Sequence, residues 1–221
     1  MLYRILMLYN LERFFGPFNI LRYVTFRAAF AAITAFLICI VVGPRFIRYL
    51  RRRKIGERTD KTDSQYLAEL HKDKANTPTM GGALIVLSAV VSSLCWADPL
   101  NFYVLVANLC MIYLGLVGYI DDNIKLTDPS RKGPTVKVKF VAQVLLAIIV
   151  ALTLRRHYQA GEDSWGTVLQ LPFVSNAKFA WMMPIGVFIP FVVLVIVGSS
   201  NAVNLTDGLD GLAIGSVTIC A

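Results

Sequence analysis

Residues 181–213 read WMMPIGVFIPFVVLVIVGSSNAVNLTDGLDGLA. The run from Trp181 to Val197 is apolar enough to lie in lipid, and it gives way to Asn201, Asn204, Asp207 and Asp210, punctuated by Gly208 and Gly211. Carboxylates at the mouth of a membrane helix cost free energy unless a cation or a donor-rich ligand meets them, so the stretch marks a span and a site together. The four polar residues recur every three positions and therefore drift around an α-helix, which cannot hold all of them on one face. With two glycines available to break the helix, the segment is expected to be a helix end that passes into a tight turn and gathers amides and carboxylates around a polar ligand.

The rest of the chain supports a membrane setting. Of its 221 residues 56% are hydrophobic and 16% charged, a balance far from that of a soluble domain. Apolar segments able to cross or nearly cross a bilayer run Phe26–Val42, Met80–Trp96, Phe102–Ile120, Val136–Leu154 and Trp181–Val197, and a further one begins at Leu212. The expected fold is all-α: a polytopic transmembrane helix bundle of about five complete spans plus the start of a sixth, forming a single integral membrane domain over residues 1–221. Lys137 and Lys139 must snorkel from the first turn of the fourth span, and Pro184 and Pro190 should kink the fifth or shift its start. Residues Met1–Tyr23 carry Arg4, Arg13 and Arg22 among aromatics and leucines without a small-residue cleavage site, which reads as an N-terminal interfacial helix. Residues Gly161–Lys178 are expected to form an external loop with short local structure.

Charge orients the spans. The segment Arg45–Lys74 holds ten Lys/Arg and Lys125–Lys139 holds five, against seven on the opposite side, which places the first two in the cytoplasm and the N-terminus outside. Asp121, Asp122 and the Asn201–Asp210 segment then fall on the cytoplasmic side as well, and Asp121 and Asp122 are expected to face a common cleft with Asn204 and Asp207 between the third and fifth spans. The net charge of +8 belongs to these membrane-flanking clusters, which suit anionic lipid or phosphate and argue against nucleic acid as a partner. Cys39, Cys95, Cys110 and Cys220 lie inside apolar runs without metal-ligand spacing, so they read as small buried hydrophobes.

Asp121-Asp122 closes the third apolar run. Adjacent helical residues point about 100° apart, so the pair suits two different roles better than one symmetric clamp. An acidic pair at a helix C-terminus opposes the macrodipole, which strengthens the case for a bound cation. Lys125 lies one turn from Asp121, and Lys137 and Lys139 follow. Lysines beside carboxylates suit phosphate oxygens bridged by Mg²⁺, an ion that takes one or two protein carboxylates and completes its shell with phosphate and water. The stretch Thr77-Pro-Thr-Met-Gly-Gly82 opens the second span, with Thr77 as an N-cap and Pro78 at the first helical position. Its free N–H groups would face the cytoplasm, where a phosphate could sit.

Taken together, Thr77–Gly82, Asp121-Asp122 with Lys125, and Asn201–Ala213 resemble the phospho-N-acetylmuramoyl-pentapeptide transferase family, over the chain from about Arg22 onward. The resemblance implies transfer of phospho-MurNAc-pentapeptide from UDP-MurNAc-pentapeptide to undecaprenyl phosphate, giving lipid I and UMP with Mg²⁺ as cofactor. That step belongs to peptidoglycan synthesis and cell wall biogenesis, and so to cell shape and division. It further implies that Asp121, Asp122 and Lys125 are catalytic, with the two carboxylates also the metal ligands. Lys72, Lys74, Thr77, Lys137, Lys139, Asn201, Asn204, Asp207, Gly208 and Asp210 would bind substrate. The setting would be the bacterial cytoplasmic membrane, with the site on its inner face, membrane lipid around it and room for a homodimer. Asn76 stands where the family usually has Gly, and Asn123 where an aromatic commonly follows the acidic pair. The family has about ten spans and draws a further metal-binding Asp and a His-rich loop from its later half, which would follow Ala221. The chain thus resembles an N-terminal portion that should insert in membranes without turning over substrate alone. The related polyprenyl-phosphate N-acetylhexosamine-1-phosphate transferases are the nearest alternative. A transporter would set its Asp and Asn residues near the midplane and show inverted repeats, whereas these lie at span ends. A noncatalytic scaffold would bind no UDP-sugar.

Overall fold

The structure, a computed structural model, describes residues 16–52, 80–127, 136–159, 168–169, 181–207 and 211–220. These are helical almost throughout: α1 (Val24–Arg52), α2 (Gly82–Trp96), α3 (Phe102–Thr127), α4 (Val136–Gln159), α5 (Ile185–Thr206) and α6 (Leu212–Cys220). A two-residue ribbon, β1 (Val168–Leu169) with β2 (Trp181–Met182), precedes α5. Four helices, α1, α3, α4 and α5, are long and apolar enough to cross a membrane. At 15 residues α2 is shorter, about 22 Å of helix against a hydrocarbon core of about 30 Å. The chain divides into two compact units, residues 1–134 and 135–221.

In the first unit α2 packs antiparallel on both α1 and α3. Trp96 stacks on Phe30 with ring centroids 5.0 Å apart, and its Nε1 donates to Thr34 Oγ1 at 2.9 Å. Cys39 Sγ and Ser88 Oγ lie 3.1 Å apart further along the same seam. On the other side Asn108 Nδ2 donates to Ser93 Oγ at 3.0 Å. Ser88 and Ser92 are buried, while Leu87 and Val91 of the same helix are exposed. This inside-out pattern belongs to helices whose solvent is lipid, where apolar side chains have no reason to hide; Ser88 Oγ donates to Ile85 O, while Ser92 Oγ is buried without a hydrogen-bond partner among the described residues. Cys39, Cys95 and Cys110 are partly exposed rather than buried and carry no disulfide.

In the second unit α4 and α5 are antiparallel. Ala147 and Ala151 are fully buried, and Ala151 packs with Met183 and Phe188, flanked by Leu154, Ile189 and Val192. Small residues at the seam let the two backbones approach closely, the usual way helices associate in lipid. Hydroxyls facing outward bond back to their own helix, as Thr153 Oγ1 does to Ile149 O at 2.7 Å and Ser199 Oγ to Val195 O at 2.6 Å.

Several sequence expectations are adjusted. The fifth span starts at Ile185 rather than Trp181, because Pro184 sits at its N-cap in an extended conformation (φ −63°, ψ 151°). Upstream, Trp181 and Met182 pair instead with Leu169 and Val168 in a short ribbon between α4 and α5. The second span starts at Gly82, with Gly81 at the N-cap position. Met80, just before it, has φ 72°, a left-handed value; Thr77, the expected N-cap, lies outside the described residues. The third span runs past the acidic pair to Thr127, which removes the argument that those carboxylates oppose a helix C-terminus. At the N-terminus the described part of the interfacial segment is a seven-residue 3-10 helix, Gly16–Arg22, leading into α1; residues 1–15 lie outside the described residues. The sixth apolar run forms α6, described from Leu212 to Cys220, and Ala221 lies outside the described residues.

Candidate functional site

In the first unit Asp121 and Asp122 lie one residue apart on α3 and meet different surroundings. Asp121 is buried, 8% exposed, whereas Asp122 is half-buried and lines a cavity of about 620 Å³ between α2 and α3. Met80 and Gly82 border the same end of that cavity; Val86, Leu116 and Val90 extend it along the helices as an apolar groove. Gly115 makes the close approach possible: a Cβ there would stand 3.2 Å from Val86 Cγ1. The left-handed turn at Met80 and the bare backbone of Gly82 thus come beside a carboxylate, where a bulky ligand could reach it. Two consecutive carboxylates, one enclosed and one at a cavity wall, suit a divalent cation of the Mg²⁺ type, which takes one or two carboxylates and leaves its remaining positions to phosphate and water. Lys125 follows one turn later on α3, its side chain outside the described residues.

In the second unit the polar residues form a ladder across the α4–α5 seam. Lys139 Nζ donates to Asn204 Oδ1 at 3.4 Å. One turn deeper, Gln143 Nε2 donates to Ser200 Oγ at 3.0 Å, and Gln143 Oε1 accepts from Asn201 Nδ2 at 2.7 Å. Asn201 Nδ2 also donates to Val197 O at 2.8 Å, so its amide hydrogens are turned into the seam. Lys139 and Gln143 are four residues apart, and Asn201 and Asn204 three, which puts each pair on one helix face. Lys137, two residues before Lys139, is exposed.

Beyond the ladder α5 ends. Asp207 occupies the C-cap with φ −82° and ψ 42° and is exposed, and Gly211, with φ 81°, precedes α6. A positive φ costs glycine nothing and other residues a good deal, which accounts for Gly211 at the restart of the helix. The break expected between Asn204 and Leu212 is therefore present, although α5 itself continues through Asn201 and Asn204. Gly208 and Asp210, like Lys72, Lys74 and Thr77, lie outside the described residues. Among the described residues no three His, Cys, Asp or Glu side chains gather into a metal cage.

The structure adds one residue that sequence reasoning passed over. Gln143 is a lone amide in an apolar run, 1% exposed. Its spacing of four from Lys139 was the available signal, since a residue one turn below a site lysine shares its face.

The glycosyl transferase family 4 model matches residues 104–221, more than half of the chain and both polar clusters, and the chain belongs to that family. The phospho-N-acetylmuramoyl-pentapeptide-transferase signature 1 matches residues 74–86, the approach to α2. Relatives of that name include one from Oleidesulfovibrio alaskensis, 42% identical over 217 residues, which cover 96% of this chain and 56% of the relative. Another, from Sorangium cellulosum, is 44% identical over 92% of this chain and 54% of its own length. A third, from Thermodesulfovibrio yellowstonii, is 39% identical over 100% of this chain and 58% of its own. The chain spans about half the length of the curated relatives it matches. With four apolar helices and such relatives, it is a bacterial integral membrane protein.

Proposed function

We propose that the protein transfers phospho-MurNAc-pentapeptide from UDP-MurNAc-pentapeptide to undecaprenyl phosphate, releasing UMP and forming lipid I for peptidoglycan synthesis. The observation that carries this reading is the placement of a carboxylate pair, Asp121 and Asp122, and a lysine–amide pair, Lys139 and Asn204, within a chain matched over both by one transferase family. An oxygen of the lipid phosphate attacks the β-phosphorus of the nucleotide sugar, the bond from that phosphorus to the bridging oxygen breaks, and UMP leaves with the electron pair. No water enters and no redox partner is needed.

Such a transfer depends on positioning and charge more than on a special nucleophile. Mg²⁺, held by Asp121 and Asp122, would supply charge neutralisation at the phosphate oxygens. Lys125, Lys137 and Lys139 hold phosphates by charge; the 3.4 Å contact from Lys139 to the neutral Asn204 amide is one that a phosphate oxygen would displace. Asn204, Asp207 and Asp210 take the nucleotide and sugar, with Lys72, Lys74 and Thr77 assisting from the segment before α2. Asn201, its amide hydrogens engaged by Gln143 and Val197, serves the seam. The site works at the cytoplasmic face with the N-terminus outside, as the charge balance of the loops supports.

The test is UMP release by the full-length protein supplied with UDP-MurNAc-pentapeptide, undecaprenyl phosphate and Mg²⁺. Turnover with this donor and none with UDP-N-acetylhexosamine is expected; the reverse preference would move the protein to the related hexosamine branch.

A further inference from the structure

Gln143 sits where a membrane helix can least accommodate an amide, fully enclosed between α4 and α5, and both ends of that amide are engaged. Beyond the ladder the packing is apolar: Ala151 on α4 packs with Met183 and Phe188, and Ala147 on α4 and Val197 on α5 are buried. Apolar packing in lipid gives little preference for one register over another, because lipid tails are as apolar as the facing helix. A hydrogen bond is directional and, in a low-dielectric seam, is the contact that specifies a unique arrangement. The Gln143 amide therefore sets both the rotation and the axial register of the pair.

Its position decides what that register controls. Lys139 lies one turn from Gln143 on α4, and Asn204 lies three residues from Asn201 on α5. We propose that Gln143 is a positioning residue which, through Asn201 and Ser200, sets the Lys139 ammonium and the Asn204 amide at the separation that phosphate and sugar recognition needs. The inference rests on the phosphate role given above to Lys139 and Asn204. Gln143 touches no reacting atom; it acts by holding the helices that carry the groups that do.

The experiment compares Gln143→Met, which keeps volume and apolar packing but removes both bonds, with Asn201→Leu and with the double variant, in the full-length protein in detergent. Each single variant is expected to lower kcat by about tenfold to a hundredfold while KM for the nucleotide sugar changes by less than about threefold, since misplaced groups forfeit alignment more than binding. The double variant should be no worse than Gln143→Met alone, because that substitution already breaks the bond that Asn201→Leu removes. A merely structural role would lower Tm and leave kcat of the folded fraction unchanged. A folded Gln143→Met protein with kcat within about twofold of the parent overturns the proposal; if that variant does not fold, Asn201→Leu, which keeps the Gln143–Ser200 bond, is judged by the same threshold. Lys139→Ala and Asn204→Ala separate the two levels. If they abolish turnover while Gln143→Met leaves kcat within about twofold of the parent, the positioning role alone fails. If they leave turnover intact, the phosphate reading fails and the positioning role falls with it.

Discussion

Lys139 Nζ stands 3.4 Å from Asn204 Oδ1, joining α4 to α5 at the point where α5 is about to end. The contact is long for a hydrogen bond and its acceptor is neutral, so a phosphate oxygen would compete for the ammonium with advantage. Lys139→Ala is expected to lower kcat/KM for UMP release by about a hundredfold, and Lys139→Arg to restore only part of it, because a planar fork cannot reproduce a compact point charge. Steady-state rates across donor concentration test this; equal kcat/KM for Lys139→Ala and parent would remove Lys139 from the site.

Asp121 and Asp122 differ in burial, and their neutral isosteres should both be damaging. Asp121→Asn and Asp122→Asn each keep volume while removing charge needed around phosphates, so Mg²⁺-dependent UMP release is expected to fall by at least about a hundredfold with the fold retained. Circular dichroism and turnover on the same samples provide the comparison. Near-parental turnover in both would end their assignment as catalytic residues.

The α2–α3 approach gives a prediction about stability alone. Alanine is a better helix former than glycine, so Gly118→Ala, whose Cβ meets nothing within 4 Å, should be neutral or slightly stabilising. Gly115→Ala meets Val86 at 3.2 Å, and a β-branched side chain in a helix has one favoured rotamer and cannot swing aside. A loss of about 1 kcal/mol is expected at Gly115. Thermal unfolding in one detergent ranks the two variants, and equal Tm values would contradict the close packing.

Trp96→Phe keeps the ring against Phe30 but deletes the donor to Thr34. The expected cost is about 0.5–1.5 kcal/mol, and combining it with Thr34→Val should add little because the bond is already gone. A double-mutant cycle read by Tm gives the coupling directly; strict additivity would mean that the pair does not interact.

Hydropathy made the helices legible because lipid imposes a length and a composition on any span, and each apolar run from Phe26 onward contains a helix. It could not mark where they stop. α5 continues through Asn201 and Asn204, since an amide is tolerated within a helix when the neighbouring helix answers it, and the answering Gln143 and Lys139 lie more than fifty residues earlier in the chain. The same reason kept Gln143 itself from view: a single polar residue in an apolar run has no local pattern. At Trp181 the apolar run misled for a local reason, as Pro184 holds the backbone extended and leaves the tryptophan to a ribbon. The acidic pair was visible from its charge, yet its division into a buried Asp121 and a groove-lining Asp122 follows from how α3 turns against α2.

The polar rungs of the α4–α5 seam also bear on how the protein meets membranes of differing thickness. Sliding one helix past the other by a turn, about 5.4 Å, would carry Gln143 away from Ser200 and Asn201 and leave an amide facing hydrocarbon. The two helices are thereby keyed together like a bolt in its detent. A bilayer thinner than the pair is then met by tilting the two helices as one rod, which leaves the spacing between Lys139 and Asn204 at its end unchanged.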